Sequence, residues 1–166
     1  MKNFLKSTLL LLFAATAFTG CEKDKSYEDP GLEVSLYNIS GTWKLASWNN
    51  GAELAEGSYV YLELAYRDGN TFTIYQNLDS FGPRRITGSY NLYTDESLGS
   101  VIRGMYDYEN GDWTSRYIIR DLYADRMTWI ATDDAGNVSI YERCDGIPQE
   151  ILDQYKDEIA GEEEEE

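Results

Sequence analysis

The sequence predicts an all-β protein: an eight-stranded antiparallel up-and-down barrel with a short C-terminal helix. Three observations predict it. Eight short runs rich in β-branched and aromatic residues fall between Gly41 and Arg143. The breaks between them carry turn residues, among them Asp68-Gly69-Asn70, Asn110-Gly111 and Asp133–Asn137. Connections this short favour antiparallel neighbours in chain order, and eight such strands close into a barrel.

The runs are Thr42–Trp48, Tyr59–Tyr66, Thr71–Gln76, Arg85–Tyr93, Val101–Tyr108, Trp113–Leu122, Met127–Thr132 and Val138–Arg143. Alternation assigns an inward face to most of them. Val60, Leu62 and Leu64 share one face of the second run, and Phe72 with Ile74 one face of the third. Ile86, Tyr90 and Leu92 follow in the fourth, with Gly88 on the same face, where a glycine suits a sharp bend. Met127, Trp129 and Ala131 share a face of the seventh. The fifth and sixth stay open, because Tyr106/Tyr108 and Tyr117/Ile119 compete with other parities. After Asp145-Gly146, Pro148 suits a first helical turn. Ile151, Leu152, Tyr155 and Ile159 then recur at helical spacing, which predicts an amphipathic helix on the barrel wall.

The N-terminus carries a different signal. Lys2 and Lys6 precede an apolar run, Leu9–Phe18, that is roughly half the ~20 residues needed to span a bilayer. Two cleavage sites compete: Ala15-Thr16-Ala17 has an A-x-A pattern, and Phe18-Thr19-Gly20-Cys21 resembles a lipobox, whose cysteine is lipidated. The second divides the chain into a signal peptide (1–20), a lipidated tether (21–38), a barrel with its helix (39–160) and an acidic tail (161–166). The tether includes the breaker Asp29-Pro30-Gly31 and reaches on the order of 55 Å if extended. Its Val34–Ile39 stretch is close enough to touch the domain. Acyl chains of the palmitate type, each buried CH₂ contributing ~0.8 kcal/mol, then hold the protein to the membrane.

Charge narrows the partners. The net charge of −16 becomes −18 once Lys2 and Lys6 are removed (−16 − 2). Phosphate binding needs clustered Lys and Arg, so nucleic acid is not an expected partner. The same acidity opposes contact with an anionic bilayer, leaving the lipid to anchor the chain. With no histidine, Ser-His-Asp and Cys-His catalysis and His-containing zinc sites are excluded. Lipidation of Cys21 leaves Cys144 as a lone thiol, whereas cleavage at the A-x-A site would allow a Cys21–Cys144 bond.

Gly41-Thr42-Trp43, at the start of the first strand, resembles the G-x-W signature of lipocalins. The whole pattern is similar to lipocalin-like lipoproteins of Bacteroidetes-type bacteria, over about 120 of the 146 residues after the signal. The resemblance implies that Trp43 closes one end of the barrel and packs against an arginine of the last strand, for which Arg143 is the match. It also implies that Asn49–Ser58 forms the loop at the open mouth, and that Glu22 and Asp24 resemble a surface-export signal of an outer-membrane lipoprotein.

The functional expectation is a binding protein, not an enzyme: a shallow cup for a small apolar or amphipathic ligand, lined by Leu62, Leu64, Phe72, Ile74, Tyr90, Met127 and Trp129. The alternative is a solid barrel that docks another envelope protein or a glycan through an outer tyrosine surface, including Tyr59, Tyr61, Tyr75 and Tyr93. Gly41, Trp43 and Arg143 are structural in either case. No cofactor or metal is expected: Asp107, Glu109 and Asp112 cluster at a turn without calcium-loop spacing, and read as a solvated hairpin.

Overall fold

Each strand-like run is used, and the sheet closes on itself. The computed structural model describes residues 30–67, 69–78, 82–108 and 111–156. The strands are β1 (Gly41–Trp48), β2 (Ala52–Glu53), β3 (Val60–Leu64), β4 (Thr71–Gln76), β5 (Arg84–Asp95), β6 (Gly99–Tyr106), β7 (Tyr117–Arg120), β8 (Arg126–Ala131) and β9 (Val138–Cys144). All pairings are antiparallel. From β3 to β9 each strand pairs with the next, and β1 pairs with both β3 and β9. The fold is therefore a closed eight-stranded barrel of up-and-down, lipocalin-like form. A register shift between Leu45 and Ser47 in β1 marks an irregularity at the closing seam, where an extra residue bends the strand.

The two-residue β2 is an addition to the eight expected strands. Asn49 and Asn50 both take positive φ, 44° and 64°, which turns the chain tightly after Trp48. Ala52 and Glu53 then pair back with Trp48 and Ser47.

The sixth run is shorter than expected. Its first four residues are not β-strand, and β7 begins only at Tyr117. After β6 the chain pairs back on it locally: Gly111 accepts from the Tyr106 amide at 2.7 Å, and the Trp113 amide donates to Gly104 at 2.9 Å. The chain then leaves the ladder because the Trp113 indole folds inward over Gly104, occupying the space a side chain there would need. Asn110 itself and Glu109 lie outside the described residues.

Two ends follow from this topology. The loops after β3, β5, β7 and β9 gather at one end, and those after β1, β4, β6 and β8 at the other. The first end is closed. Residues from Pro30 run across it: the Leu32 amide donates to the Leu122 carbonyl at 2.7 Å, and a short helix α1 (Leu36–Ile39), capped by Ser35, places Ile39 at full burial. Trp43 sits beside it and donates its indole N–H to the Ile39 carbonyl at 2.8 Å.

The core fills the barrel from this closed end. Leu64, Phe72, Tyr90, Ile102, Ile119, Leu122 and Met127 are each 2% exposed or less and pack with Ile39 and Trp43. Phe72 takes the space that a side chain at Gly88 would need. The open parities of β6 and β7 resolve with Ile102, Tyr106, Tyr117 and Ile119 in contact with the core.

The C-terminal segment lies on the outer wall. α2 (Gln149–Leu152) continues as a 3-10 turn, Asp153–Tyr155. Ile151 and Tyr155 pack on Tyr61 and Tyr75, all four being 7% exposed or less. This explains why β3 is buried on both faces. Ile159 and the acidic tail lie outside the described residues.

Candidate functional site

The barrel is not filled to its mouth. A cleft of about 140 Å³ opens at the end opposite α1. One wall is aliphatic, made by Val60, Leu62 and Ile74, whose strands hold Leu62 directly opposite Ile74. The other is aromatic, made by Tyr106, Trp113, Tyr117, Trp129 and Tyr141, with Thr114 and Ser139 adding two hydroxyls.

The aromatic rings are in mutual contact. Centroids lie 5.8 Å apart for Trp113 and Trp129, 5.5 Å for Tyr117 and Trp129, and 5.1 Å for Trp129 and Tyr141. Trp129 is therefore the hub of the wall. Its indole N–H reaches the Met127 sulfur at 3.3 Å, which fixes the ring from below. Trp113 is backed by Phe72, centroid to centroid 5.0 Å.

The phenols in this wall are held neutral. Burial raises the Tyr141 pKa far above its ordinary value, with a smaller contribution from nearby Tyr117. Tyr117 is raised by burial and by the Asp133 charge, against a lowering contact with Ser115. Tyr106 is raised by burial and by its tyrosine neighbours, with Arg84 opposing. The buried indole N–H of Trp113 has no hydrogen-bond partner among the described residues, which leaves a polar group with unused hydrogen-bonding capacity beside the cleft.

Of the expected lining residues, Leu62, Ile74 and Trp129 face the cleft. Leu64, Phe72, Tyr90 and Met127 do not. They lie deeper, packed in the core with Trp43 and with Ile39 of α1. Trp113, Thr114, Ser139 and Tyr141 are lining residues that alternation alone did not single out. Trp113 and Thr114 sit in the irregular stretch before β7, where period-two counting fails. Tyr141 and Ser139 share a parity on β9, a signal present in the sequence.

The expected outer tyrosine surface is largely occupied. Tyr61 and Tyr75 are covered by α2 and its 3-10 turn, and the Tyr59 hydroxyl lies 3.4 Å from that of Tyr155. Tyr93 accepts from Arg116 at 3.3 Å. Tyr59, Tyr61 and Tyr75 are thus engaged by the C-terminal segment, and Tyr93 by Arg116.

At the closed end, Arg143 lies over Trp43 with 4.0 Å from the guanidinium carbon to the ring centre. Its three nitrogens donate to the carbonyls of Ala124, Ser40 and Asn38 at 2.7–2.8 Å. Gly41, at φ +121°, passes directly under this guanidinium, and a side chain there would strike Nη1. These three residues form one structural unit, remote from the cleft. Cys144 is a free, half-buried thiol whose pKa burial raises, so it is held as the unreactive thiol. Cys21 lies outside the described residues. No described helix is long and apolar enough to cross a membrane.

Comparison with known proteins finds no family model, no curated protein and no solved structure that matches this chain.

Proposed function

We propose that this chain is an outer-membrane lipoprotein, anchored through Cys21, whose barrel binds a small amphipathic or apolar ligand at its mouth. The observation that carries the binding proposal is the aromatic cleft: a mixed apolar and hydroxyl-bearing space, open at the barrel mouth, above a filled core. Its size sets the ligand. At about 140 Å³ it is below the ~300 Å³ of ordinary ligand pockets and close to the ~150 Å³ apolar cavity that takes benzene. A molecule of one ring or a few branched carbons fits, and a long acyl chain does not. The activity is binding, with no chemical step.

Anchoring is supported by the lipobox-like Phe18–Cys21 and the polar residues that follow. The described chain starts at Pro30, on the closed end.

The test is native mass spectrometry of the full chain, released from the envelope in mild detergent, beside a Ser139→Phe variant that fills the cleft. The expected result is a small adduct on the parent chain and none on the variant. Absence of any adduct, with no change in tryptophan emission on adding small ring compounds, overturns the proposal.

A further inference from the structure

The walls of the cleft narrow the chemistry of its occupant, provided that occupant is the small molecule proposed above. Trp113, Trp129, Tyr117 and Tyr141 form a connected set of rings, and Tyr106 adds a fifth at the rim. No carboxylate, lysine or arginine lines the space among the described residues. The three phenols are protonated at neutral pH, as any tyrosine is, so each is an uncharged ring whose face carries the negative end of its quadrupole.

The surroundings add a field of the same sign. Asp133 lies close enough to Tyr117 to act on its hydroxyl, and Asp134, Asp107 and Asp112 are exposed on the same mouth loops. Arg84, acting on Tyr106, and Arg116, next to Tyr117, oppose that field. The chain as a whole carries −16. Low-dielectric walls under an acidic rim concentrate cations and repel anions.

Three ligand classes respond differently to this site. An anion is opposed by the field. A small hydrated metal ion finds no carboxylate to replace its water. A bulky, weakly hydrated organic cation gains from the ring faces, from the aliphatic wall and from the field together. We propose that the cleft takes a small organic cation of the quaternary ammonium class, its alkylated headgroup seated against Trp113, Trp129 and Tyr141. A trimethylammonium group with a short tail is comparable in size to the benzene that a ~150 Å³ cavity accepts.

The test is titration of the full chain with choline and, separately, with its uncharged carbon isostere neohexanol, followed by tryptophan emission and calorimetry. Choline is expected to bind at least about tenfold more tightly. Trp113→Leu keeps an apolar side chain but removes a ring face, and should abolish that preference. Tyr141→Phe keeps the ring and should retain it. Asp133→Asn should weaken choline and leave neohexanol unchanged. Equal or tighter binding of neohexanol overturns the cation assignment and leaves the binding cleft standing. Binding of neither probe overturns both. Should Trp113→Leu fail to fold by circular dichroism, the Asp133→Asn comparison decides alone: an equal effect on both probes overturns the assignment.

Discussion

The guanidinium of Arg143 lies 4.0 Å from the centre of the Trp43 ring, across the β1–β9 pairing that closes the barrel. The stacking is one part of its role. The same side chain donates to carbonyls on two segments, the N-terminal strap (Asn38, Ser40) and the β7–β8 loop (Ala124). One residue thereby ties the strap, a loop and the closing seam over the buried tryptophan. Arg143→Ala should cost about 3 kcal/mol, from lost charge-assisted bonds and the ring contact. Arg143→Lys should recover little of it, because an ammonium cannot span three carbonyls in one plane. Urea unfolding midpoints of the two variants check this; a loss below about 1 kcal/mol would show that the strap holds without it.

Gly104 controls the shape of the cleft from outside its lining. The Trp113 indole rests where a Cβ at residue 104 would be. Gly104→Ala should push the ring toward the cleft, narrow it and cost roughly 1–3 kcal/mol through overpacking. The expected readouts are a shifted tryptophan emission and weaker binding of any ring-sized probe. Unchanged emission would mean that the indole has another place to go.

Alkaline pH should unfold the protein through its buried tyrosines. Tyr61, Tyr90, Tyr106, Tyr117 and Tyr141 are all raised above the ordinary value of 10.0, chiefly by burial. Above that value the unfolded chain loses these protons first, so the folded state holds more of them and stability falls as pH rises. The tyrosine contribution is therefore intact below about pH 10 and lost above it. Tyr141→Phe should flatten the curve above pH 10 while leaving pH 7 stability near the parent's, since it keeps the ring and its contact with Trp129. Melting temperatures from pH 7 to 11.5 on both chains decide it; a parent curve flat to about pH 11.5 would contradict the cause assigned here.

The C-terminal helix should matter to the sheet beneath it. Ile151 and Tyr155 cover Tyr61 and Tyr75, with the Tyr75 and Tyr155 rings edge to face at 5.3 Å. Ile151→Ala should cost about 2–4 kcal/mol, in the range of other buried truncations. Hydrogen exchange should then rise in β3 and β4 more than in β7. A uniform rise would mean that the helix does not act locally.

Cys21→Ser should move the protein from the membrane to the soluble fraction. Two or more acyl chains are needed for stable anchoring, and the acidic domain offers little attraction to lipid headgroups of its own. A variant that still sediments with membranes would remove the basis of the anchoring proposal.

Strand positions were legible because alternation and turn residues are local signals. Thr71–Gln76 begins and ends at the residues expected, and the faces of β3, β4, β5 and β8 match their alternation. The added hairpin at Asn49-Asn50-Gly51 falls in the stretch expected as the mouth loop; its residues tolerate positive φ, but the pairing of Ala52 and Glu53 was not anticipated. Trp113 was less legible. Its place depends on the absence of a side chain at Gly104, on another strand, and no count along its own run can show that.

The sequence by itself determined the class of fold and the inward faces of most strands, because each rests on residue spacing and on backbone preferences a few positions long; the G-x-W corner came from a resemblance. Only the tertiary structure decided where the barrel is full and where it is empty. A cavity is the difference between the volume the strands enclose and the volume their side chains fill. That difference is set by Ile39 and Trp43 plugging one end and by Trp113 turning in at the other, contacts between segments far apart in the chain. The same holds for the outer tyrosines, which read as a free surface until the last helix is laid across them.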